Sequence, residues 1–131
     1  MTLALLDTSV FIAAESGRPH DASRVPTDVA VSVITFAELL AGVHAARDTE
    51  TRARRLATLD SIGALAPLPI NEAAAREWAR LRFRLAEVQR RIPVNALWIA
   101  AIALAHGLPV VTQDRDYEVL HGLGGPEVIV V

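Results

Sequence analysis

The chain has 131 residues, a mass of 14.1 kDa, a hydrophobic fraction of 52% and a mean hydropathy of +0.33, which suits one domain spanning residues 1–131 with a substantial core. Its net charge of −2 and pI of about 6.1 exclude a globally basic nucleic-acid binder, though not a local basic patch. The absence of cysteine excludes a disulfide scaffold and cysteine-based zinc sites, and fits a cytoplasmic protein.

The apolar fraction is slightly high for a domain in water, which points to some burial against a partner. All thirteen basic side chains are arginines. No apolar run approaches the roughly 20 residues that span a bilayer. The N-terminal run from Met1 to Leu6 is too short and lacks the basic lead of a signal peptide.

Leu3 to Leu6 is a continuous apolar run, expected as a strand buried on both faces. Thr8 or Ser9 can cap a helix through Ala14, and Gly17 to Pro26 reads as a loop. Val29 to Val33 is the second expected strand. Thr35-Phe36-Ala37-Glu38 has the capping-box pattern, with Leu39, Leu40 and Val43 at helical spacing after it. Glu50 to Ile62 is a polar, arginine-rich helix, and Leu65 to Leu68 a third strand.

The longest expected helix runs from Asn71 to about Arg91. Trp78, Leu81, Leu85, Val88 and Ile92 form its apolar stripe, and Pro93 ends it. Asn95 is positioned to cap a further helix that closes at Gly107. Leu108 to Thr112 is a strand, Asp116 to Leu120 a helical turn, and Val128 to Val131 a last strand. Alternating strands and helices with short connections imply an α/β fold with a mostly parallel sheet. Ligands of such sheets bind beyond the carboxyl ends of the strands, where Asp7 and Asp114 both fall.

Taken singly, the acids have ordinary uses. Asp7 suits a helix cap or turn, Glu38 the reciprocal position of its capping box, and Asp114 and Asp116 a solvated turn. Their shared strand-end placement is more specific. Carboxylates drawn from distant parts of a chain repel one another, and a hard cation with oxygen ligands relieves that repulsion.

Three stretches carry a family resemblance: Leu5-Leu6-Asp7-Thr8-Ser9-Val10-Phe11-Ile12, Ser32-Val33-Ile34-Thr35-Phe36-Ala37-Glu38-Leu39, and Val94-Asn95-Ala96-Leu97-Trp98-Ile99-Ala100-Ala101 continuing through Thr112-Gln113-Asp114-Arg115-Asp116-Tyr117. In order and spacing they resemble PIN-domain proteins, and more narrowly the VapC toxins of bacterial toxin–antitoxin pairs. The resemblance implies a three-layer α/β/α sandwich and Mg²⁺- or Mn²⁺-dependent endoribonuclease cleavage of structured cellular RNA. It implies a homodimer and a small VapB-like antitoxin whose C-terminal segment covers the site, often with a basic residue among the acids. Asp7 would be the first metal ligand, Glu38 a second acidic site residue and Asp114 the last core acid. Asp116 would assist as an acid, with Thr112, Ser9 and Asn95 as polar support.

The third acid of the family pattern falls on position 96, which is alanine. Asn95 is its polar neighbour, and Glu87 is too far along the chain to assume as a replacement. A naturally inactive member and a deliberate aspartate-to-alanine change both account for Ala96; the intact flanks favour the second. Other expected classes are a non-catalytic RNA-binding or regulatory PIN module and a metal-dependent DNA nuclease. Crowded acids would destabilise the metal-free fold, and metal would restore it by linkage.

Arg76, Arg80, Arg82, Arg84, Arg90 and Arg91 suit phosphate contacts and equally a solvated helix face paired with Glu72, Glu77 and Glu87. His20, His44, His106 and His121 show no metal-ligand spacing. Trp78 and Trp98 fall on apolar helix faces, where packing is the default and base stacking the alternative.

Overall fold

The computed structural model describes residues 3–131; Met1 and Thr2, the start of the N-terminal apolar run, lie outside the described residues. Four strands form the sheet: β1 (Leu3–Leu6), β2 (Asp28–Val31), β3 (Val110–Thr112) and β4 (Val128–Val130). Their order is β2-β1-β3-β4, and every pairing is parallel. Five α-helices accompany them: α1 (Thr8–Ser16), α2 (Val33–Ala45), α3 (Thr49–Gly63), α4 (Glu72–Glu87) and α5 (Val94–Ala105). A 3₁₀ turn over Arg115–Leu120 links β3 to β4.

Strand periodicity divides the core between the two faces of the sheet. Leu5, Val110, Ala30 and Val128 face the cluster built by α4 and α5. Ala4, Leu6, Val111, Val29 and Ile129 pack with Val10 and Phe11 of α1 on the other. Helices therefore cover both faces, giving the expected α/β/α sandwich. The apolar run of β1 is explained: both its faces are covered.

Three expectations change. Leu65 to Leu68 is not a strand; only Leu68 bridges, to Ser32, through Leu68 N–H to Val31 O (2.8 Å) and Val33 N–H to Leu68 O (2.9 Å). Pro67 and Pro69 flank that bridge and lack the donors a ladder needs. The α2 cap is Ser32 rather than Thr35: Ser32 Oγ accepts from Thr35 N–H at 3.1 Å, and Val31 ends β2 immediately before it. The helix thus starts three residues early, and Glu38 is not half of a capping box.

The third concerns both ends of the α4–α5 connection. Helix α4 begins where expected, with Asn71 as its cap, accepting from Ala74 N–H at 2.8 Å. The helix ends at Glu87, before Pro93 can stop it. Gln89 is left-handed (φ 54), with Gln89 N–H bonded to Ala86 O and Arg90 N–H to Leu85 O, a Schellman closure with glutamine in the usual glycine position. Pro93, not Asn95, precedes the first turn of α5, and no side chain caps that end. Proline is free to sit there because the first helical amides have no partner within the helix.

Trp78 of α4 and Trp98 of α5 stack with ring centroids 4.8 Å apart, so the default of packing holds for both. Ser32→Ala should cost about 1 kcal/mol by losing the α2 cap, measured by urea denaturation. An equal or larger loss in Thr35→Val, with Ser32→Ala neutral, would restore Thr35 as the cap.

Candidate active site

Parallel strands end together, so β1 and β3 deliver Asp7 and the residues after Thr112 to one edge. Asp7 follows Leu6 directly, and its N–H is anchored on Val111 O at 2.9 Å. Helix α5 precedes β3 through a short connection and runs back across the sheet. Its first turn, which carries Ala96, therefore lies at the same edge. Helix α2 leaves that edge after β2 and carries Glu38.

Asp7 is only 6% exposed. Its carboxylate does not cap α1. Instead Oδ2 accepts from Ser9 Oγ (2.7 Å) and Thr112 Oγ1 (2.8 Å), and Oδ1 accepts from Tyr117 OH (2.9 Å). Two of these hydroxyls are themselves polarised by backbone amides: Gln113 N–H donates to Ser9 Oγ (2.9 Å) and Asp114 N–H to Thr112 Oγ1 (2.8 Å). Both oxygens of this buried carboxylate thus have hydrogen-bond partners, which offsets part of the cost of taking it out of water.

Glu38 is half-buried, and its Oε1 accepts from Thr8 Oγ1 at 2.8 Å; that hydroxyl also lies 2.9 Å from Thr35 Oγ1. Asp114, half-buried, uses Oδ1 to accept Asp116 N–H at 2.8 Å as the cap of the 3₁₀ turn. Asp7, Asp114 and Glu38 are brought into one electrostatic neighbourhood around the Tyr117 hydroxyl. Burial first, then the Asp7 charge, the bond to Asp7, and the charges of Asp114 and Glu38 hold that phenol well above its ordinary value.

Asp116 and Asn95 are exposed; Asp116 contributes its amide to Asp114, and the Asn95 side chain caps nothing. Ala96 is 8% exposed and packed in the core cluster. Sequence reasoning missed Tyr117 and Thr8. Tyr117 stood within the quoted Asp114-Arg115-Asp116-Tyr117 motif, and a lone tyrosine beside an aspartate gives no sign that its hydroxyl turns inward across the sheet.

The donors are all oxygens, as a hard cation requires. Each acid keeps spare acceptor capacity: one oxygen on Glu38 and on Asp114, and one lone pair on Asp7 Oδ1. The set therefore fits Mg²⁺ in kind. It falls short in number: among the described residues no three Asp, Glu or His side chains converge as a cation cage, and Ala96 offers no oxygen.

Residues 4–123 match the PIN domain. The chain belongs to the PIN-domain family. Within it, the chain resembles VapC proteins. It is 54% identical over 125 residues to Ribonuclease VapC5 of Mycobacterium tuberculosis, covering 95% of this chain and 93% of that one. It is 44% identical to Ribonuclease VapC4 of the same species over 87% of this chain and 88% of that one. A crystal structure of VapBC-5, a member of the VapBC family of toxin–antitoxin systems from M. tuberculosis, superimposes with a TM-score of 0.91 at 49% identity, covering all of both chains.

Tyr117 is the chain's one tyrosine, and no lysine or cysteine titrates near it. Its raised folded value means stability is fully present below the unfolded value near 10 and declines as pH rises above it, by about 1.4 kcal/mol per pH unit. Phenolate absorbance should therefore appear only with alkaline unfolding; a phenolate signal in the folded protein near pH 10 would contradict the buried bond. Tyr117→Phe should remove this slope and cost about 1.5–3 kcal/mol at neutral pH, as for a bond to a charged acceptor.

Proposed function

We propose that this protein is an endoribonuclease toxin of the VapC type, acting on structured cellular RNA with Mg²⁺ or Mn²⁺ and neutralised by a VapB-like antitoxin. The observation that carries this reading is the buried, hydroxyl-held Asp7 at the sheet edge, with Asp114 and Glu38 sharing its neighbourhood. The VapC relatives, named as ribonucleases, supply the reaction class. Position 96 is where the family resemblance calls for a further aspartate, so we propose that this chain's activity is impaired.

A divalent ion bound here would lower the pKa of a water and act as a Lewis acid toward the phosphate. Asp7 Oδ1 and the spare oxygens of Asp114 and Glu38 would hold it. Ser9, Thr112 and Tyr117 fix the orientation of the Asp7 carboxylate, so its free lone pair is aimed before any ligand arrives. Thr8 does the same for Glu38. Asp116, exposed beside Asp114, is suited to orienting water near the phosphate. Asn95, exposed in the first turn of α5, is a polar group available to the same edge.

The acid-rich edge also suits a basic residue of an antitoxin, which would neutralise the charges that the cation otherwise neutralises. Exposed Phe83 (64%) on α4 supplies apolar surface for a homodimer contact. Among the described residues no helix is long and apolar enough to cross a membrane, and we place the protein in the cytoplasm. The intact flanks of Ala96 favour a deliberate substitution, which the codon in the encoding gene decides.

Cleavage of cellular RNA with Mg²⁺ or Mn²⁺, compared before and after Ala96→Asp, tests the proposal. Restoring the acid should raise the rate about a hundredfold or more, since even an outer contact to a metal ligand is worth about 10–100-fold. No RNA cleavage by the restored protein would leave a non-catalytic PIN module, and cleavage of DNA alone a DNA nuclease.

A further inference from the structure

The arginines of α4 and of the loop after it divide into two sets. Arg76, Arg80 and Arg84 are paired with Glu72 (2.7 Å), Glu77 (2.6 Å) and Glu87 (3.7 Å). These three form the solvated face that the sequence pattern allows. Arg82, Arg90 and Arg91 are exposed and form no ion pair among the described residues. All three instead line one groove of about 690 Å³ between the end of α4 and the first turn of α5.

No acidic side chain lines that groove. Its apolar part comes from Leu85, Ile92, Val94 and Leu97, so it presents fixed positive charge over a hydrophobic floor. The Arg82 guanidinium lies 5.4 Å from the centre of the Trp78 ring, which holds it in place by a cation–π contact. The left-handed Gln89, also at the groove, turns the chain so that Arg90 and Arg91 follow α4 directly. Val94 and Leu97 belong to the first turn of α5, the turn that also carries Ala96, so the groove lies at the same end of α5 as the acidic edge.

We infer that this groove is the phosphate-binding track that leads an unpaired stretch of the structured RNA to the acidic edge, with Arg90 and Arg91 on successive phosphates and the apolar floor against a base or ribose. The inference rests on the ribonuclease reading of the adjoining edge. Charge complementarity selects the occupant. A polyanionic backbone needs unpaired guanidiniums in a groove free of acids on a net-negative protein, and arginine's planar fork matches phosphate oxygens. Stacking of bases on apolar and guanidinium surfaces is sequence-tolerant, which suits a track rather than a reader. The acids would repel RNA on their own; an adjacent basic groove offsets that repulsion while leaving the reaction edge acidic.

The test is binding, not turnover, so impairment at Ala96 does not obscure it. A fluorescein-labelled, mixed-sequence single-stranded oligoribonucleotide is titrated with the full chain and with the double variant R90A/R91A, following anisotropy across a salt series. Arg76→Ala, whose guanidinium is paired with Glu72, serves as control. Two lost phosphate contacts should lower the slope of log affinity against log salt by about 1.4 and weaken binding about tenfold near physiological salt. The control should match the parent.

If the parent binds RNA and R90A/R91A binds with the same affinity and slope, the groove is not the track, while the ribonuclease reading stands. If Arg76→Ala loses as much as the double variant, general charge rather than this groove holds RNA, and the inference falls. If the parent binds no RNA at all, both the inference and the ribonuclease reading fall. Retained RNA binding together with lost binding of an acidic peptide would assign the groove to a protein partner instead.

Discussion

The site depends on holding one carboxylate inside the protein with both its oxygens hydrogen-bonded. Asp7 is nearly as buried as the strand that precedes it, and moving an isolated carboxylate to such a place costs several kcal/mol. Three hydroxyls offset that cost, and each comes from a different local structure: Ser9 from the first turn of α1, Thr112 from the end of β3, Tyr117 from the 3₁₀ turn beyond it. The sheet order makes this possible. β1 and β3 are neighbours in space though more than a hundred residues separate Asp7 from Thr112. Backbone amides of Gln113 and Asp114 then polarise two of the hydroxyls, so the network is tied to the main chain at its outer edge.

This arrangement bears on the expected instability of crowded acids. Asp7 is already neutralised in part by dipoles, and Glu38 and Asp114 each spend one oxygen on a local donor. These acids thus form a hydrogen-bonded polar cluster, and under the proposed reading a cation would engage only their free lone pairs. Ala96 fits the same picture. Its methyl group is packed with the α4–α5 core, and one fewer charge at the edge lightens the repulsion the hydroxyls must offset. The cost falls on ligand number, and so on affinity for the cation.

Much of the fold was legible because its signals were local and unopposed. The apolar Leu3–Leu6 run, Asn71 at the start of α4 and the glycine after α5 each meant what they usually mean. Elsewhere two local signals competed and tertiary context chose. Ser32 and Thr35 are both good caps, and the end of β2 at Val31 selected Ser32. Asn95 was the better cap by type, yet Pro93 holds that position because the chain enters α5 two residues earlier. Leu65 to Leu68 had a strand-like composition, but the flanking prolines restrict it to a single bridge. The placement of Asp7 and Asp114 after two neighbouring parallel strands was legible from the apolar runs before them. Tyr117 was not, since its role exists only once β1 and β3 are side by side. The division of the arginines into paired and unpaired sets was equally hidden, because it depends on where α4 stops.

The central claim is that a divalent-cation site is present and short of one carboxylate at position 96. Calorimetric titration of Mn²⁺ into the folded chain, into Ala96→Asp and into Asp7→Asn tests it directly. The account predicts weak binding to the parent, about tenfold or more tighter binding to Ala96→Asp, and none to Asp7→Asn. Equal affinities for the parent and Ala96→Asp, or binding that survives loss of the Asp7 carboxylate, would contradict it.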